Sequence, residues 1–163
     1  MHSGKTARDN VILEAAMEKE VIISIKGMQK YEGNDPDTVE LVTAGRLMKD
    51  KAGYTLSYQE SEITGLEGTL TTIQVEGEQV TLMRMGEFNS QMVFQEGRRH
   101  LSMYNTPYGA MSVGVNTRHL LADLSDKGGD IEIDYAIEID HAIAGRSVFQ
   151  IKVREADGAT LRQ

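Results

Sequence analysis

Arg84 closes an otherwise apolar alternation, Val80-Leu82-Arg84, and Glu60 closes another, Tyr54-Leu56-Tyr58-Glu60. His100, Ser102 and Tyr104 share a third set at the same period of two, with Tyr108 just beyond. Period two is that of a strand, so each set lies on one side of its strand. If those sides point inward, Tyr58, Glu60, Arg84, His100, Tyr104 and Tyr108 bring charges and hydroxyls into an apolar container. A buried charge must pair or meet a ligand, because leaving it alone costs several kcal/mol. An arginine beside tyrosine hydroxyls suits a carboxylate or phosphate, held by charge-assisted hydrogen bonds. A plainer reading stands against this one: Arg84 and Glu60 pair with each other, or the register turns them outward.

Other chemical motifs are weaker. Ser3-Gly4-Lys5-Thr6 imitates the end of a phosphate-binding loop, but no strand or earlier glycine precedes it to build the cradle. Glu132, Asp134, Glu138 and Asp140 line one side of a strand. Same-side neighbours are roughly 7 Å apart, too far for two of them to chelate one ion unaided, so a solvated outer face is expected. His100, His119 and His141 fall on different segments without metal-ligand spacing, and no Gly-x-Ser-x-Gly elbow marks a nucleophile. Met83, Met85, Met92, Met103 and Met111 could line an adaptable cavity, although methionine more often fills core.

The elements that must position these residues are strands. About ten alternating segments run from Glu20 to Glu155, the clearest being Ile131 to Asp140, and glycine-containing turns separate them. Gly77-Glu78 and Glu96-Gly97 have the length of tight hairpin connections. Ser125 to Gly129 and Ala144-Gly145 read as further turns, and Thr106-Pro107-Tyr108-Gly109 as a bulge or corner. Leu120 to Leu124 is read as strand rather than a helical turn. Consecutive hairpins of this number close into a barrel or split into a sandwich, since open edges invite association. Residues 1–18 read as an extension with one or two helical turns, 19–155 as the barrel domain and 156–163 as a tail. Met17 is a second candidate start.

Composition narrows the partners. The chain has 163 residues, enough to bury a core without staples, and a net charge of −8. That charge disfavours nucleic acid and anionic membrane surfaces. With no cysteine, disulfides and thiolate chemistry are excluded, and a cytoplasmic setting is expected. No run approaches the ~20 apolar residues of a spanning helix.

Glu67 to Thr72, Met92 to Gly97, Thr106-Pro107-Tyr108-Gly109 and the Ile131-to-Ile139 strand together resemble the YwiB-like family of bacterial domains of unknown function. The resemblance extends from about Lys19 to Glu155. It implies an all-β, lipocalin-like (calycin-type) antiparallel meander barrel of eight to ten strands, and it transfers no activity or catalytic residue. Classical lipocalins carry Gly-x-Trp on the first strand; this chain has no tryptophan, so their secreted transporter role is not imported. The expectation is a binder of a small, partly apolar ligand, acidic in one version, with no cofactor or metal. An interaction module or homodimer is the alternative, and an enzyme using His100 the third reading.

Overall fold

The computed structural model describes residues 17–156 apart from positions 32, 34, 88, 107–108 and 140–141, and gives the backbone alone for residues 104–106. Within these bounds the alternating segments form ten strands. They are β1 (Met17–Tyr31), β2 (Asp37–Lys49), β3 (Tyr54–Gln59), β4 (Leu70–Glu76) and β5 (Gln79–Met85), then β6 (Ser90–Gln95), β7 (Arg99–Thr106), β8 (Gly109–Ser125), β9 (Gly128–Ile139) and β10 (Ala142–Glu155). Each strand pairs antiparallel with the next, and β10 returns to β1, closing a barrel. The all-β meander read from the sequence is the fold. The helical turns expected before Met17 lie outside the described residues.

Alternation decides what faces in. In β9, Ile131, Ile133 and Tyr135 are buried, while Glu132 and Asp134 lie on the opposite side. Val21 and Ile23 of β1, Leu56 of β3, Ile73 of β4, Val80 and Leu82 of β5 and Ile151 of β10 complete the same core. Each such side chain contributes roughly 1.5–3 kcal/mol by leaving water. Phe94, Tyr135 and Phe149 form an aromatic ladder across it, with centroids 4.8 and 6.1 Å apart. The centre is solid: the void among Ile73, Val80, Leu82, Ile133 and Ile151 measures about 10 Å³, near the minimum that holds one water.

Four features depart from the sequence reading. β8 does run through Leu120 to Leu124 as strand, but a bulge between Thr117 and His119 resets its alternation. Hence Val113, Val115 and Thr117 are buried, and beyond the bulge Leu120, Ala122 and Leu124 take over the inward row. Ala144-Gly145 is not the turn before β10 but an irregularity inside it, where the register shifts between Ile143 and Gly145. A side chain at Gly145 would meet the Tyr31 ring at 2.9 Å, so the glycine serves packing. β3 stops at Gln59, and Ser61 caps a short 3-10 turn, Glu62–Thr64, by accepting from the Ile63 amide. Of the five methionines considered for a cavity lining, only Met92 is buried; Met85, Met103 and Met111 are exposed.

The two ends of the barrel differ. One is closed by tight turns and bound by polar contacts. There the Tyr54 hydroxyl donates to Asp126 Oδ1 at 2.7 Å and Lys49 Nζ lies 3.4 Å from the same oxygen. The other end is a mouth formed by the far ends of β1, β5, β7 and β9 and the beginnings of β2, β8 and β10. Beside it the wall is incomplete. β2 and β3 pair only over Arg46–Lys49 with Tyr54–Ser57, whereas β1 pairs along the whole of β2. A second thin seam lies between β6 and β7, whose ladder is reduced to Ser90 opposite Tyr104.

Candidate functional site

Three of the sequence-selected residues meet at the mouth because of register. Tyr58 of β3 stands opposite Thr71 of β4, and Thr71 stands opposite Arg84 of β5. Residues paired across a ladder lie on the same side of the sheet. That row faces inward, since Tyr58 is buried and Thr71 is fully enclosed. Glu60, two residues beyond Tyr58, ends the same inward face and is buried as well.

Glu60 is held from two directions. Thr71 Oγ1 donates to its Oε2 at 2.5 Å, and Thr64 Oγ1, from the 3-10 turn, lies 3.0 Å from Oε1. Arg84 Nε stands 3.9 Å from Oε2, which is an ion pair but exceeds hydrogen-bond length. Arg84 Nε is itself buried and has no hydrogen-bond partner among the described residues. The carboxylate is thus satisfied by hydroxyls, while the guanidinium keeps its buried Nε–H unused among the described residues. Burial, and then the Glu60 charge, hold the Tyr58 phenol well above its ordinary range; the Arg84 charge acts against them.

Above this row opens a pocket of about 310 Å³. Tyr58, Glu60, Thr64 and Arg84 supply polar surface, and Gln29 of β1 and Asp37 of β2 add to it. Ile25 of β1, Leu41 of β2, Leu66 after the 3-10 turn and Phe149 of β10 give it apolar walls. Gly27 is part of the design: a Cβ there would lie 3.2 Å from the Phe149 ring, so its absence lets the ring reach the pocket. A cleft of about 380 Å³ on the other side of the β2–β3 opening, near Gly45 and Ser57, also touches Tyr58 but lacks Arg84 and Glu60.

The remaining sequence-selected residues stand elsewhere or outside the described set. His100 pairs with Val115 and its Nε2 lies 3.2 Å from Gln95 Oε1, across the thin β6–β7 seam. It does not line the pocket. The pairings Arg84–Ser90 and Ser90–Tyr104 place the backbone of Tyr104 near the Arg84 row. His100 is four residues further along β7, roughly 13 Å at strand rise. Tyr108, Asp140 and His141 lie outside the described residues. The β9 acid face points outward, and Glu138 there is engaged by Arg99 Nε at 2.9 Å and by Asn116. His119 pairs with Glu96 at 3.2 Å on the surface. Thr71, Thr64, Gly27 and Phe149 were not singled out in the sequence. Threonine and phenylalanine are ordinary strand residues, so their types gave no signal.

The molecule is thereby an antiparallel meander barrel with a packed centre and a small, polar-floored pocket at one mouth. Residues 23–151 match the family described as "Domain of unknown function (DUF1934)", and the chain belongs to it. It is 25% identical, over 122 residues, to the uncharacterised beta-barrel protein YwiB of Bacillus subtilis (strain 168), covering 75% of this chain and 84% of that protein. The crystal structure of the ywiB protein from Bacillus subtilis has the same fold, with a TM-score of 0.76 at 21% identity, over 86% of this chain and 94% of that one.

Proposed function

We propose that the protein is a non-catalytic binder of a small amphipathic molecule, with a short apolar body and an acidic head, at the Arg84 pocket. The observation that carries this reading is the Arg84 guanidinium, whose buried Nε has no hydrogen-bond partner among the described residues, beneath an apolar-walled opening. A carboxylate could accept from that N–H in a charge-assisted geometry. Glu60 does not compete for them at hydrogen-bond distance, because its oxygens already accept from Thr71 and Thr64. At about 310 Å³ the pocket is at the lower end of small-molecule sites, which favours a short chain over a long lipid. The solid centre favours a ligand seated at the mouth rather than a deep calyx of lipocalin type. Cysteine-free composition supports a cytoplasmic setting.

Titration with octanoate, read by displacement of the anionic dye anilinonaphthalene sulfonate, tests the reading. Octanoate should displace the dye from the native protein. Arg84→Met should weaken octanoate at least about tenfold, as expected for a hydrogen-bonded charge worth roughly 1.5–3 kcal/mol. Equal octanoate affinity in the native protein and Arg84→Met, or no octanoate binding to either, would overturn it.

A further inference from the structure

The edge of β2 beside the mouth offers backbone, apolar and charged groups together. From Thr38 to Ala44, β2 pairs with β1 on one side and with no strand on the other among the described residues. Half of its N–H and C=O groups therefore face outward as a template for another strand. Native sheets commonly guard such an edge with lysine or proline; this stretch, Thr38-Val39-Glu40-Leu41-Val42-Thr43-Ala44, contains neither. Val39 and Val42, which open to opposite sides of β2, are 46% and 65% exposed, and Ile63 across the gap is 69% exposed.

The exposed charge around the edge is mostly acidic, although Arg84 lines the same opening and Lys26 and Lys152 lie beside Val42. Asp35, Asp37, Glu62 and Glu67 are all exposed, and none forms an ion pair among the described residues. Lys26, the base nearest the strand by register, is taken by Glu40 at 3.7 Å. A second copy of this chain would bring its own acids and its share of the −8 net charge against this rim. A basic segment would meet complementary charge.

We propose that the β2 edge docks a basic, extended segment of a partner protein by strand addition, with apolar residues at alternate positions and lysine or arginine between them. Main-chain hydrogen bonds to Thr38–Ala44 supply the attachment, and the alternate side chains reach Val39 on one side and Val42 on the other. The edge borders the Arg84 pocket, which Asp37, Val39, Leu41 and Ile63 line, but Val42 lies outside that pocket and separates this inference from the small-molecule reading.

The test uses the full chain and an acetylated, amidated octapeptide alternating leucine and lysine, labelled for fluorescence anisotropy. The expected result is saturable binding that weakens with salt, and at least tenfold weaker binding of the leucine–glutamate peptide. Two backbone-methylated versions of the basic peptide, methylated at alternate amides in opposite registers, should behave differently: one keeps its affinity and the other loses at least tenfold. Val42→Lys should weaken the unmethylated peptide at least tenfold while leaving octanoate binding unchanged, so failure of this inference is separable from failure of the pocket reading. Hydrogen exchange should slow at the outward-facing amides of residues 38–44 when peptide is added. Equal loss or equal retention by the two methylated peptides would overturn the proposal. So would exchange at the outward-facing amides of residues 38–44 that is already slow in the free protein, whether constant (cover by this chain's own residues) or slowing further with protein concentration (cover by a second copy).

Discussion

At Glu60 the local physics separates what holds the fold from what is available for a ligand. Thr71 is fully buried and its hydroxyl satisfies one oxygen of a buried carboxylate. Thr71→Val keeps the shape but leaves that oxygen unpaired, so it should lower unfolding free energy by about 1–3 kcal/mol in urea titration. Arg84 is the cation facing a carboxylate whose side chain is 1% exposed, so Arg84→Met leaves a buried charge without its partner and should cost up to about 3–5 kcal/mol while weakening octanoate binding at least about tenfold. Tyr58 supplies a pH signature. Its phenol ionises near 10 in the unfolded chain and above that in the folded one. Above pH 10 the unfolded chain therefore loses a proton that the folded chain keeps. Stability from this group is complete below pH 10 and falls above it, by up to about 1.4 kcal/mol per pH unit. Comparing urea unfolding at about pH 9 and about pH 11, Tyr58→Phe should lose less stability than the native protein. Glu60 and Arg84 were legible in the sequence because each breaks an apolar alternation. Their partners were not, because Thr71 and Thr64 are residue types that any strand or turn uses.

At the scale of elements, close approach between strands explains several glycines and also limits what periodicity reveals. A Cβ on Gly45 would lie 2.6 Å from the Ser57 carbonyl oxygen and 2.5 Å from the Ile23 side chain, at the point where β2 and β3 part. Gly45→Ala should cost about 1–3 kcal/mol, measured by thermal or urea unfolding. Gly53 is more demanding: its φ is +154°, and a Cβ would stand 2.0 Å from the Val75 carbonyl oxygen. Gly53→Ala should cost more than about 2 kcal/mol by the same measurement. The strands and most turns were readable from period two and from glycine placement. The bulge between Thr117 and His119 was not, because both readings of Leu120-Leu121-Ala122-Asp123-Leu124 offer apolar residues to the core. His100 shows the other limit: parity gave its face, but its height along the barrel depends on the β6–β7 register, which only tertiary packing sets.

For the whole molecule, one end is tied by turns and ion pairs, the centre is filled, and the mouth carries both the Arg84 pocket and the open β2 edge. The sequence made the meander barrel legible but left open whether its interior was a cavity, since apolar inward faces describe a solid core and a lined chamber equally well. The bulk of Phe94, Tyr135 and Phe149 decides for the core. The ligand reading is consequently a statement about the mouth, and methyl NMR locates it there most directly. On addition of octanoate, the methyl signals of Ile25, Leu41 and Ile63 should shift together and saturate, those of Ile131 and Ile133 should stay in place, and Arg84→Met should move the midpoint of the response at least about tenfold higher in octanoate. Saturable shifts centred away from Ile25 and Leu41, or none at all, would contradict a binding site at Arg84.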